Sequence, residues 1–240
     1  MKKKVLITGA AGLIGGITRQ SLGSKYDLSA LDQTPVEGIP SHVADLANLD
    51  AIKPAFQGQD VVVHLGASAS GGSPWDMVLP NNIVGTYNVM EACREAGVKR
   101  VVFASTNHVV GYYPQKDEPY KSIFEGRLED VPTPFPLLTT SLLRPDCLYG
   151  VSKAFGEALG SLYWDKYGIS FIALRIGGVN KEEGSHRKFF PNLAMWLSER
   201  DAAHIIEQSI DAPDSVGFLI VYGMSNNTLR IHELKTAEKM

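Results

Sequence analysis

Tyr149 and Lys153 stand four residues apart in a stretch patterned as a helix. Residues at i and i+4 share a helical face, so the Lys153 ammonium can lie against the Tyr149 phenol. A free tyrosine titrates near pH ~10 and is a poor base at neutrality, whereas a cation within a few ångströms favours its phenolate. Such a pair can take the proton of an alcohol while hydride leaves the carbon. Spacing alone decides little, because solvated helical faces often carry Tyr and Lys in this relation. What the chain sets beside the pair decides.

The N-terminus supplies a partner for that chemistry. An apolar run, Val5-Leu6-Ile7-Thr8, reads as a buried parallel strand and passes directly into Gly9-Ala10-Ala11-Gly12-Leu13-Ile14-Gly15, with a helical pattern from there to Leu22. A strand, a glycine-rich turn and a helix in this order form a dinucleotide-binding unit. Gly9 permits the tight turn, Gly12 lets the backbone approach a pyrophosphate, and Gly15 lets the helix pack closely, with Leu13 and Ile14 carried alongside the ligand. A second run, Asp27 to Leu31, ends at Asp32, whose carboxylate can accept hydrogen bonds from ribose hydroxyls and would repel a 2′-phosphate. Gln33, Thr34 and Pro35 provide no arginine to offset that repulsion, so the expected cofactor is NAD rather than NADP. Asp45 and Leu46 are expected near the adenine. Leu65, Gly66 and Ala67, at the end of the run from Val61, leave room for a cofactor to cross the sheet edge.

These pieces need a scaffold. Strand-like runs at 4–8, 27–31, 61–66, 100–105, 169–175 and 218–222 alternate with helical patterns at 13–22, 47–57, 81–96, 152–167 and 200–211. The alternation predicts an α/β fold, a Rossmann-type doubly wound parallel sheet with helices on both faces and a small C-terminal substrate-binding portion. At 240 residues the chain suits a single NAD-binding domain, 1–240. The proline-rich stretch 112–147 and the charged stretch 176–192 are expected to be loops over the substrate, and the polar tail from Ser225 to be mobile or to lie on a neighbouring subunit. A net charge of −3 argues against nucleic acid. No run is long and apolar enough for a membrane span. The two cysteines, Cys93 and Cys147, are too isolated for a disulfide framework and read as reduced thiols in a cytoplasmic protein. The six histidines show no metal-ligand spacing, so no metal is expected.

The combination of Thr8-Gly9-Ala10-Ala11-Gly12-Leu13-Ile14-Gly15 with Tyr149-x-x-x-Lys153 resembles the extended short-chain dehydrogenase/reductase (NAD-dependent epimerase/dehydratase) family. Within it, Ser105-Thr106-Asn107-His108-Val109-Val110-Gly111-Tyr112-Tyr113-Pro114 is similar to the uronate dehydrogenases, which oxidise the hemiacetal C1 of galacturonate or glucuronate to a lactone with NAD. The likeness continues through Leu148 to Glu157, Leu174-Arg175-Ile176-Gly177 and Trp196-Leu197-Ser198, and spans about residues 1–222.

The resemblance implies Tyr149 as base, Lys153 as its stabiliser and ribose contact, and Thr106 as the hydroxyl that holds the reacting alcohol, with Ser105 ranked second. Asn82 is implied as an active-site asparagine at the cofactor. Asn107 and His108 would donate to sugar hydroxyls or a carboxylate. A uronate carboxylate needs a bidentate partner, for which Arg187 is the candidate; Ser68 and Ser70 are weaker substrate contacts. Gly178 stands where the resemblance leads one to expect a serine. The resemblance also suggests a homodimer through helices near 81–96 and 152–167. The competing functions are a nucleotide-sugar epimerase or dehydratase, for which little chain remains after Arg175, and a non-catalytic NAD sensor.

Overall fold

The computed structural model describes residues 2–179 and 190–240. Its centre is a seven-stranded parallel sheet in the order β3-β2-β1-β4-β5-β6-β7. The strands are β1 (Lys4–Thr8), β2 (Asp27–Asp32), β3 (Ser41–Val43), β4 (Val61–His64), β5 (Arg100–Thr106), β6 (Ser170–Ile176) and β7 (Phe218–Gly223). The helices are α1 (Leu13–Leu22), α2 (Leu49–Phe56), α3 (Trp75–Val78), α4 (Gly85–Ala96), α5 (Tyr112–Lys116), α6 (Tyr120–Glu125), α7 (Leu148–Tyr167), α8 (Phe190–Met195) and α9 (Glu199–Asp211).

Alternate residues of each strand feed opposite faces. Val5, Ile7, Val63 and Ile172 pack beneath α1 and α9, while Leu6, Val62, Phe103 and Phe171 pack beneath α2, α4 and α7. The expected helices on both faces are therefore present. Long α7 comes unusually close to the sheet: a Cβ on Gly156 would stand 2.4 Å from the Phe103 ring, and one on Gly160 2.3 Å from that of Phe171. This close approach carries Tyr149 and Lys153 over the end of β5.

Three local departures from the sequence reading have physical causes. β3 is a three-residue edge strand whose residues are exposed or half-exposed, so it leaves no apolar run to detect. The helix expected over 81–96 begins as α4 at Gly85, and a π-helical turn, Leu79–Val84, joins it to α3. The stretch 112–147, expected as one loop, contains α5 and α6. Pro114 lies in the first turn of α5 and Pro119 immediately precedes α6, positions where a helix tolerates proline. These elements bury Val110, Tyr120, Ile123 and Leu138 against Tyr222, Met224 and Ile231 in a third, smaller core beside the carboxyl ends of the strands.

A buried ion pair ties these parts together. Arg175 on β6 donates to Glu157 on α7 at 2.9 and 2.8 Å, and to the Leu142 carbonyl at 3.0 Å. The two side chains are 2% and 6% exposed. Removing one partner leaves the other charge buried and unpaired, so Glu157→Gln is expected to lower stability by about 3–5 kcal/mol. A fall in the urea midpoint at unchanged slope would register this; an unshifted midpoint would count against it.

Candidate active site

A cleft of about 860 Å³ runs along the carboxyl ends of the strands, from Asp32 and Gln33 past the glycine loop to Thr106, His108, Tyr149 and Lys153. It crosses the sheet where β1 adjoins β4 and the strand order reverses, the point at which open α/β sheets take their ligands.

The glycine loop is built as its spacing predicts. Gly9 adopts φ +69°, and a Cβ there would stand 2.6 Å from the Gly66 backbone nitrogen. At Gly15 a Cβ would lie 2.6 Å from the carbonyls of Gly9 and Ala10, so the helix could not start so close to the turn. Gly12 caps α1 without a side chain, and the first turn carries no acid, leaving its N–H groups to an anion. Asp32 accepts the Ala11 and Gln33 N–H groups at 2.9 and 2.8 Å, which locks the glycine turn to the end of β2. An uncapped helix start, a glycine-walled floor and a carboxylate at the end of β2 fit a dinucleotide with free ribose hydroxyls. Leu13, Ile14, Leu46, Leu65, Gly66 and Ala67 also line this cleft.

Some residues expected at the ligands are occupied elsewhere. Asp45 accepts the Ala47 N–H at 2.9 Å in a turn and is not part of the cleft wall. Asn82 is 1% exposed, accepts the Ser68 N–H at 2.7 Å and donates to Ser152 Oγ at 2.9 Å. Ser152 in turn donates to the Tyr149 carbonyl at 2.7 Å, so Asn82 fastens the turn that carries Tyr149 while neighbouring Asn81 faces the cleft. The hydroxyls of Ser68 and Ser73 bond each other at 2.8 Å, and Ser70 accepts the Gly72 N–H; the cleft wall there is Ala67 and Ala69. Arg187 lies outside the described residues.

The reacting groups converge at the other end. Thr106 closes β5; its hydroxyl accepts the His108 N–H at 3.2 Å and lies close enough to the Tyr149 phenol to favour the phenolate. Ser105, the second-ranked hydroxyl, donates to buried Glu157 at 2.6 Å, which leaves Thr106 as the hydroxyl beside Tyr149. The Lys153 ammonium lies 4.6 Å from the Phe103 ring centroid and 5.8 Å from that of Tyr149. Burial pushes the Tyr149 phenol up to about 12, with the Thr106 hydroxyl working against it, and pushes Lys153 down to about 7. Each group thus resists its charge alone, and the phenolate and ammonium forms favour each other. His64, between Thr8 and Thr86, is held neutral by burial, to about 3, with the Lys153 charge adding to the effect.

Asn107 donates to Met195 Sδ at 3.2 Å, and Gly178, where a Cβ would meet nothing within 4 Å, opens part of the same wall. The His108 ring bonds Asp146 at 2.8 Å through Nδ1 and meets the Tyr149 ring edge-on at 5.9 Å. Asp146 and Cys147 complete this corner, a grouping missed in the sequence because His108 and Asp146 are 38 positions apart.

A doubly wound sheet with a dinucleotide cleft that meets a Thr-Tyr-Lys set defines a nucleotide-dependent enzyme of the short-chain dehydrogenase type. Residues 5–208 match the NAD dependent epimerase/dehydratase family, and the chain belongs to it. It is 38% identical to a uronate dehydrogenase of Agrobacterium fabrum, over 94% of this chain and 78% of that one. An NAD-dependent glucose-6-phosphate dehydrogenase of Haloferax volcanii is 37% identical, over 99% of this chain and 90% of its own length. A mutant uronate dehydrogenase from Agrobacterium tumefaciens, solved in complex with NAD, superposes with a TM-score of 0.81 at 34% identity, covering 97% of this chain and 81% of that one. Among the described residues no helix is long and apolar enough to cross a membrane.

Proposed function

We propose that this protein is an NAD-dependent dehydrogenase that oxidises the hemiacetal C1 hydroxyl of a small sugar acid, a uronate, to a lactone. The observation that carries it is the meeting of Thr106, Tyr149 and Lys153 at the end of the cleft whose other end is the glycine loop. Likeness to the uronate dehydrogenases supports the substrate class.

NAD, when bound, supplies the acceptor for hydride. Gly9, Gly12 and Gly15 with the start of α1 would hold its pyrophosphate, and Asp32 would take an adenosine ribose hydroxyl. Thr106 receives the reacting hydroxyl and steers it to Tyr149, which takes the proton onto its phenolate oxygen. Lys153 stabilises that phenolate and would bind the nicotinamide ribose. Asn107 and His108 orient the sugar. Holding the alcohol in register and removing its proton by a fixed base are each worth orders of magnitude in rate.

Purified protein incubated with D-galacturonate or D-glucuronate is expected to form NADH from NAD and to work far more slowly with NADP, because the Asp32 carboxylate would repel a 2′-phosphate. Failure to oxidise either uronate, with NAD bound, would overturn the substrate assignment.

The functional unit is a homodimer, probed through one apolar face. Val84 and Tyr87 beside Leu148, Val151 and Leu162 are all exposed large apolar residues on the π turn, α4 and α7. Pairing α4 and α7 with their copies would bury this face as a four-helix contact. Sedimentation should give a mass of two chains, and Leu162→Glu should shift it to one. A wild-type mass of one chain would contradict the dimer.

A further inference from the structure

We propose that His108, Asp146 and Cys147 form a binding site for a zinc-class divalent cation, and that an ion held there inhibits the enzyme by competing with the sugar. The inhibitory part rests on the substrate position proposed above; binding itself does not.

Three donor types meet at this corner. A His108 ring nitrogen, an Asp146 carboxylate oxygen and Cys147 Sγ all lie within 4.8 Å of one another. Among the described residues this is the one place where three such donors converge. Ligands on a tetrahedral zinc ion stand roughly 3–4 Å apart, given bond lengths of about 2.0–2.3 Å, so small side-chain rotations would close the set. Both side-chain carriers are anchored: Thr106 caps the turn Asn107–Val110 that bears His108, and Asp146 and Cys147 lead into α7. The present bonds of these donors are ones an ion can replace or share. Nδ1 of His108 meets Asp146 Oδ1 at 2.8 Å, Gln115 donates to Asp146 Oδ2 at 2.8 Å, and Cys147 Sγ accepts the Gly150 N–H at a long 3.4 Å. Gly71 adjoins this corner without a side chain: a Cβ there would stand 3.5 Å from His108 Cε1 and 3.7 Å from Cys147 Sγ, ordinary contact distances.

Nitrogen, oxygen and sulfur together select zinc, cobalt and their neighbours over magnesium and calcium, which take oxygen ligands. Binding exchanges the Cys147 thiol proton for the metal and releases that proton to water. The His108 proton moves from Nδ1 to Nε2 with no change in number, and nothing is oxidised or reduced. Carboxylate, thiolate and dication then sum to no net charge. His108 lines the cleft next to Tyr149, so an ion on its ring changes which ring nitrogen carries the proton and places an open coordination position at the wall the sugar would use.

Cobalt(II) is the probe, because a thiolate ligand gives it a near-ultraviolet charge-transfer band. The other cysteine, Cys93, is fully buried and cannot supply one. Titrating the full chain is expected to give the band at one cobalt per chain, reversed by zinc and not by magnesium. Cys147→Ser keeps a side chain able to cap α7; it is expected to lose the band and weaken cobalt binding about 10-fold or more. Zinc is expected to raise the KM for the sugar acid in the wild type, not in Cys147→Ser, with NAD affinity unchanged. Absence of the band, equal cobalt affinity in the two proteins, or equal zinc effects on their KM would overturn the proposal. If no sugar acid is turned over, the cobalt band still decides the site while the proposed function fails.

Discussion

Tyr149→Phe is expected to lower kcat about 10²–10⁴-fold, the contribution of a positioned general base, while leaving NAD affinity within about twofold. The exchange removes one oxygen from a ring that is otherwise retained, and the glycine loop and Asp32, where the cofactor is proposed to bind, lie at the far end of the cleft. Thr106 and Lys153 stay in place, so a binding defect has no source. Equilibrium fluorescence with NAD, together with initial rates, separates the two effects. A variant that turns over at the wild-type rate would remove Tyr149 from the mechanism. One that loses NAD as well would make its role structural.

Lys153→Met is expected to move activity and stability in opposite directions. An opposite charge at this range shifts a pKa by about 1–3, so losing the ammonium cuts the phenolate population, and kcat, about 10–10³-fold. Yet Lys153 is 2% exposed, and burial lowers it from its ordinary 10.5 to about 7. The unfolded chain therefore binds more protons at this residue between pH 7 and 10.5, and folding stability gains as pH rises through that window. Below about pH 7 the ammonium is charged in both states, and the full cost of burying it falls on the folded protein. The Phe103 face at 4.6 Å returns part of that cost. Methionine fills the same space without a charge. The cofactor-free variant should melt several degrees above the wild type below pH 7, with the difference shrinking as pH rises toward 10. A lower melting temperature at every pH would show that the ammonium is not a burden on the fold.

The chain announces its framework more clearly than its substrate. Buried parallel strands are mostly apolar runs, so β1, β2 and β4 to β7 stand where the sequence places them, whereas β3, an exposed edge strand with the sequence Ser-His-Val, carries no such mark. The glycine turn is legible because its demands are steric and local: one positive φ at Gly9 and one backbone contact at Gly15. Tyr149 and Lys153 are legible because helical spacing alone sets them side by side. Polar residues near the substrate behave differently, since a hydroxyl or amide can serve a ligand or the chain itself. Ser68, Ser70, Asp45 and Asn82 all take part in hydrogen bonds with neighbouring turns, Asp45 and Ser70 as acceptors, and only the folded chain reveals these bonds. The corner of His108, Asp146 and Cys147 was beyond reach for another reason. It is assembled by α7 docking on β5, not by any local spacing.

Hydride transfer from a sugar-acid C1 to the cofactor is tested most directly with D-galacturonate or D-glucuronate deuterated at C1. After incubation with NAD, mass spectrometry should find the deuterium on the reduced nicotinamide and a lactone that has lost it. Deuterium retained on the sugar would contradict oxidation at C1; an epimer accumulating without net NADH would point instead to the epimerase chemistry of the same family.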